Sequence, residues 1–223
     1  MIGSHAWPIA TLRPDGEVVP KERLLAQAGA RKGAATPLRK RFVDEVARVT
    51  RLAFLDPRTT NLAPTLAVPH INVLRLMLHE GNVHASVLDA IDRTIPGPTL
   101  LELVSGGTVR LTGAYKRPAE SGDGWVTGSH AIGESGPLAT ARPLPVATDL
   151  GLLYGHLLAG LWPTVARAGE TLPEHAARIE VRAAAARSLA KAERALRAET
   201  MYARKVELNR KVRELRGTYD SLC

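Results

Sequence analysis

The chain has 223 residues, with 30 Lys and Arg against 22 Asp and Glu, a formal net charge of +8 and a pI near 10.1. That length holds one domain with its own core plus an extension, and at 4% aromatic content the core must come from Leu, Val, Ile and Ala. No apolar run reaches the roughly 18 residues that a bilayer span needs, and the start MIGSHAWPIA has neither a basic n-region nor an apolar h-region, so a cytoplasmic protein with no membrane partner is expected. The single cysteine, Cys223, excludes an intrachain disulfide and a cysteine zinc site.

Residues 1–20 carry Pro8, Pro14, Gly16 and Pro20 and read as an irregular lead-in. From Lys21, KERLLAQAGA predicts a short helix ending at Gly29, and Thr36-Pro37 opens a second, with Thr36 as the cap. In that second helix Leu38, Phe42, Val43 and Val46 fall at helical spacing, while Arg39, Lys40 and Arg41 crowd the first turn. Over residues 13–41 eight cations face three acids, so this region is basic, although such runs are most often solvated helix faces.

The centre of the chain alternates strand and helix. Val49 to Leu55 reads as a first strand, stopped by Asp56-Pro57. Ile71 to Leu78 is a second, and Asn82 then caps a helix whose apolar face holds Val83, Val87, Leu88 and Ile91, with Pro96 soon after its end. PTLLELVSG and TVRLTGAYKR follow as two strands joined through Ser105-Gly106-Gly107. Trp125 to Ile132 forms a last strand, and Gly133 to Pro145 a wrapping loop.

The fold class is therefore α+β: a small mixed or antiparallel sheet of about four to five strands with packed helices and a long, coiled-coil-like C-terminal helix. The core domain covers residues 21–147, an apolar packing helix opens at Thr148-Asp149 within 148–170, and the basic C-terminal helix takes 171–223. Thr171-Leu172-Pro173-Glu174 has a capping pattern, and with no Pro or Gly up to Leu215 one helix of about 40 residues is expected. Leu189, Ala192 and Leu196 share one heptad-like phase and Leu208, Val212, Leu215, Tyr219 and Leu222 another, with a slip between Glu199 and Lys205. Such an arm could join copies of the chain into a homo-oligomer.

Chemistry is sparse. His79 and His84 flank Glu80 without a zinc spacing, so no metal or other cofactor is expected. A metal-dependent nuclease would draw on Asp89, Asp92, Glu102 and Lys116, but Glu102 is followed by Leu103-Val104 and the acidic-x-Lys triplet is missing. Ser105-Gly106-Gly107 is neither a phosphate loop nor a dinucleotide fingerprint. The anion contacts named by charge are Lys21, Arg39, Lys40, Arg41, Lys116 and Arg117, and the catalytic set is empty.

Several stretches carry a resemblance. Val19-Pro20-Lys21, Arg48-Val49-Thr50-Arg51, Leu55 through Asn61 (LDPRTTN), Asp89 through Pro98 (DAIDRTIPGP), Ala114-Tyr115-Lys116-Arg117 and Lys205 through Asn209 (KVELN) together resemble one bacterial family, domain of unknown function 4391 (DUF4391). Arg51 departs from it, standing where an aromatic residue is expected. The resemblance implies no assigned activity, but it implies a genomic setting beside SNF2-type helicases and DNA methyltransferases in restriction-like or phage-defence loci. The expectation that follows is an accessory subunit that binds a helicase or methyltransferase partner and contacts DNA or RNA.

Overall fold

The computed structural model describes residues 4–28, 35–120, 122 and 124–222. The chain divides into two compact units, one through Trp162 and one from Pro163.

The first unit is built on one sheet. In chain order its elements are β1 (Ser4–His5), a 3-10 turn (Ile9–Thr11), β2 (Leu12–Val18), α1 (Lys21–Ala28), α2 (Ala35–Glu45), β3 (Val46–Leu55), α3 (Pro57–Thr60), β4 (Ile71–Leu78) and α4 (Ala85–Thr94). Then come β5 (Thr99–Ser105), β6 (Thr108–Gly113), β7 (Lys116–Pro118), β8 (Trp125–Thr127), β9 (Ala131–Ile132), β10 (Gly136–Pro137), β11 (Ala141–Arg142) and α5 (Leu150–Ala159). Strand order in the main sheet is β10-β6-β5-β4-β3-β2, with β9 also on the β6 edge. Five strands of six residues or more carry it, and only β4 and β5, joined through α4, run parallel.

Period-two alternation decides what each face buries. Leu74, Leu76 and Leu78 of β4, with Leu101 and Leu103 of β5 and Val49 of β3, meet Leu24 of α1, Phe42 of α2 and Val87, Leu88 and Ile91 of α4 in one apolar cluster. On the opposite face Gly113 sits under Leu158 of α5 and Leu161, which close over the β5–β6 side. The β5–β6 hairpin turns at Gly106 and Gly107, both at positive φ (54° and 77°), as a type I′ turn requires.

Several boundaries differ from the sequence reading, each for a local reason. The stretch read as an irregular lead-in supplies β1 and the edge strand β2, where a register shift between Leu12 and Glu17 accommodates Pro14 and Gly16. After β3 the chain makes the short helix α3, because Asp56 and Thr59 form a reciprocal capping box around Pro57. His84, not Asn82, caps α4, accepting from Ser86 N–H at 3.1 Å. The helix end read at Gly29 and the cations Arg31 and Lys32 lie outside the described residues, as does the Thr36 side chain.

The second unit carries the long C-terminal helix, α6 (Leu172–Ala198), followed by α7 (Tyr202–Ser221). The expected 40-residue helix is thus interrupted, and the two segments pack on each other as a hairpin: Arg182 donates to the Tyr219 hydroxyl at 2.7 Å, and Arg216 meets Glu193 at 2.6 Å. The break falls where the heptad phase slips, and the Glu199 side chain accepts from the backbone N–H of Thr200 and Met201, both at 2.9 Å. Antiparallel pairing lets both seams bury together what one straight rod would leave exposed. Thr171 and Glu174 cap α6 reciprocally, as read.

A Cβ on Gly113 would stand 2.7 Å from a Leu100 methyl and 3.2 Å from one of Leu158. Gly113→Ala is therefore expected to destabilise the first unit by about 1–3 kcal/mol through overpacking, measured as a fall in the urea midpoint with unchanged slope.

Candidate functional site

Two stretches that carry the family resemblance, around Asp92 and around Lys116, meet in space. Asp89 and Asp92 lie three residues apart on one face of α4. Lys116 starts β7 and His130 sits between β8 and β9. The Lys116 side chain is 1% exposed; its ammonium donates to the carbonyls of Asp92 and Ile95 and lies 3.4 Å from Asp92 Oδ1. It thus covers free carbonyls at the C-terminal end of α4, where the helix dipole favours a cation. His130 bridges the two acids: Nε2 is 2.7 Å from Asp92 Oδ2 and Nδ1 is 3.3 Å from Asp89 Oδ1. Both contacts are ion pairs by distance, without hydrogen-bond alignment. The Tyr154 hydroxyl of α5 donates to Ala114 O at 2.6 Å and accepts from Lys116 N–H at 3.2 Å, fixing the backbone that delivers the lysine.

The electrostatics follow from burial. Burial alone pushes the His130 imidazolium down, but the Asp89 and Asp92 carboxylates outweigh it and raise the pKa to about 9. His130 in turn holds the Asp89 carboxyl below its ordinary range, against partial burial. Burial lowers Lys116, opposed by Asp92, and raises Tyr154 well above its usual value. Asp92, Lys116 and His130 are sealed in, and of the four charged groups Asp89 alone, 46% exposed, reaches solvent. A substrate has no path to the inner three, so this arrangement can hold the loop and strand onto α4 but offers little to a reacting group.

The third acid weighed for nuclease chemistry lies in a separate cluster. Glu102 of β5 is fully buried and stands beside Arg75 of β4 in register. Arg75 Nε and Nη2 donate to Oε2 at 2.9 and 2.6 Å, Trp7 Nε1 donates to Oε1 at 2.8 Å, and the Ser4 hydroxyl donates to the same oxygen. Four donors consume the carboxylate and pin the N-terminal segment to the sheet. Sequence reasoning missed the pair although a signal was present: Arg75 and Glu102 are the lone charges inside two otherwise apolar runs, INVLRLML and TLLELVS.

The anion contacts named by charge separate accordingly. Lys116 is unavailable to a phosphate because it is buried on Asp92, and the Lys21 ammonium turns inward to the Val46 carbonyl. Arg41 is half-buried on α2, and Arg117 has Glu120 at 3.8 Å and donates to Pro118 O. Arg39 and Lys40 stand exposed on α2. Among the described residues no three His, Cys, Asp or Glu side chains are placed to hold a metal ion, and no helix is long and apolar enough to cross a membrane.

The raised His130 pKa sets a pH dependence. Its contribution is fully present below the unfolded value near 6.5 and is lost as pH rises through about 9, amounting to about 3 kcal/mol at 1.36 kcal/mol per unit. Thermal melts from pH 6.5 to 9.5 should therefore show a larger fall for the native chain than for His130→Gln; because Lys116 is common to both, the difference reports His130. Lys116→Ala uncovers the α4 carbonyls and leaves Asp92 short of a cation, and should cost about 3–5 kcal/mol in chemical denaturation.

A family model described as domain of unknown function (DUF4391) matches residues 7–218. No curated protein and no solved structure matches the chain. The match takes in the sheet, the ionic cluster and nearly all of the helical hairpin, so the chain belongs to the DUF4391 family.

Proposed function

We propose that this protein is a non-enzymatic accessory subunit that docks a protein partner. The partner class suggested by the family resemblance is an SNF2-type helicase or a DNA methyltransferase of a restriction-like or phage-defence system. The observation that carries the reading is the fate of the buried charges. Asp92, Lys116, His130, Glu102 and Arg75 are engaged with one another, with Trp7 and Ser4 or with backbone, and the side chains of Asp92, Lys116, His130 and Glu102 are at most 3% exposed. Groups so neutralised stabilise a fold and are poor nucleophiles, bases or metal ligands. What the molecule offers instead is surface, and the surface is basic: residues 163–223 carry thirteen Lys and Arg against eight Asp and Glu.

A second reading, contact with nucleic-acid phosphates, is favoured by Arg39 and Lys40, which stand exposed on α2. Affinity purification of the tagged full chain from its host, read by mass spectrometry, tests the first reading. Stoichiometric recovery of a helicase or methyltransferase is expected, and recovery of the chain alone at physiological salt contradicts it. For the second, fluorescence anisotropy with a labelled DNA duplex should give affinity that falls with salt. Arg39→Glu/Lys40→Glu should flatten the slope of log K against log salt by about two and weaken binding about tenfold or more at low salt. Equal binding by native and variant chains removes α2 from the interface.

A further inference from the structure

The hairpin leaves one side open. On α6, Val181, Ala184, Ser188, Lys191 and Ala195 recur at alternating steps of three and four, and every one of them is exposed. On α7, Arg204, Leu208, Lys211 and Leu215 recur in the same way, with the two leucines half-buried. Each row has the spacing of a coiled-coil seam and flanks the buried centre of the α6–α7 pairing, which runs through Ala192 and Val212; Leu208 and Leu215, half-buried in that pairing, turn their remaining surface to the groove. The two rows share one groove: Ser188, Lys191 and Ala195 face Leu208, Lys211 and Leu215 across a cleft of about 360 Å³. It is continuous through Ala195, Leu208 and Lys211 with a second cleft of about 710 Å³ towards Arg204. Small side chains along the α6 wall give a third helix room to approach closely.

Charge decides what such a helix must be. Lys191 and Lys211 sit at one layer of the groove, and Arg187 and Arg194, exposed and seven residues apart, border the α6 row. In the second cleft Glu199, Glu207 and Glu214 offset Arg204, Arg210 and Lys211, with Glu214 4.0 Å from Arg210, so the excess positive charge of the groove lies at the Lys191–Lys211 layer. A second copy of the hairpin laid face to face would bring four ammonium groups to the Lys191–Lys211 layer, a strongly unfavourable arrangement once desolvated. Single-stranded nucleic acid binds by stacking on aromatic rings, and the groove walls carry aliphatic and small residues instead.

We propose that this groove receives an acidic amphipathic helix of a partner protein, with a carboxylate at the Lys191–Lys211 layer, completing a three-helix bundle. The proposal rests on the adaptor reading and locates its contact.

The test places a photo-reactive benzoylphenylalanine at Ser188 of the full chain in its host, with Ala190, two residues away around the helix, as the control position. The result expected is a cross-link from position 188 to a protein segment with heptad-spaced apolar residues and Asp or Glu on one flank, and none from position 190. Lys191→Glu/Lys211→Glu should lower that yield at least tenfold with helix content unchanged by circular dichroism. A cross-link to a second copy, a cross-link to nucleic acid, no cross-link, or a yield indifferent to charge reversal each overturns it. Affinity purification separates the two levels. If Lys191→Glu/Lys211→Glu still recovers the native partner, the groove falls and the adaptor reading stands; if the native chain recovers no partner, both fall.

Discussion

The structure depends on the carboxylate of Asp92 being shared by Lys116 and His130 in the interior of the first unit. A lone buried carboxylate would be costly, and so would a lone buried ammonium or imidazolium. Together they offset one another and tie three separate parts of the chain, α4, the start of β7 and the loop before β9, to one point. The lysine also satisfies carbonyls at the end of α4, and Tyr154 from α5 clips the backbone on which that lysine is carried. Short strands such as β7 to β9, of two or three residues each, cannot hold position by their own ladders, so the ionic centre supplies what their length does not.

The same logic governs the other buried acid. Glu102 is surrounded by Arg75, Trp7 and Ser4, and the result is an N-terminal segment anchored over the sheet. Both clusters draw on residue types that catalysis also uses, which is why residue type alone is a weak guide here. What separates a structural cluster from a reactive one is access and an unmet valence. Here Lys116 and His130 meet Asp92, the donors of Arg75, Trp7 and Ser4 meet Glu102, and the one exposed member, Asp89, is held by His130. What remains outside is the pair of exposed cations Arg39 and Lys40 on α2, and a helical hairpin with one side unfilled.

Much of this was legible in the sequence. Alternating and helical periods placed β3 to β6, α2, α4 and α5, because an apolar face must be buried and its spacing names the element that buries it. The slip of heptad phase between Glu199 and Lys205 marked the place where α6 ends, yet the turn itself was hidden because no Gly or Pro signals it; Glu199 caps the backbone there instead. The edge strand β2 was masked by Pro14 and Gly16. In the site, Lys116 was read as a surface cation because sequence position says nothing about which long-range partner a charge will find. His130 fell inside the stretch read as one last strand, which the structure splits into β8 and β9 with His130 between them, and no spacing tied it to Asp89 or Asp92. Arg75 and Glu102, by contrast, stand as isolated charges inside apolar strands, a mark of a cross-strand pair that the sequence reading passed over when it weighed Glu102 only for nuclease chemistry.

Interior charge maintains the fold, and in the proposed function the surface recruits a partner. The most direct measurement neutralises the centre and asks whether recruitment survives. Asp92→Asn/Lys116→Met, produced at low temperature and confirmed folded by circular dichroism and gel filtration, should melt earlier than the native chain yet recover the same host partner in the same proportion. A folded variant that has lost its partner, or a loss of partner without loss of stability, would contradict the account.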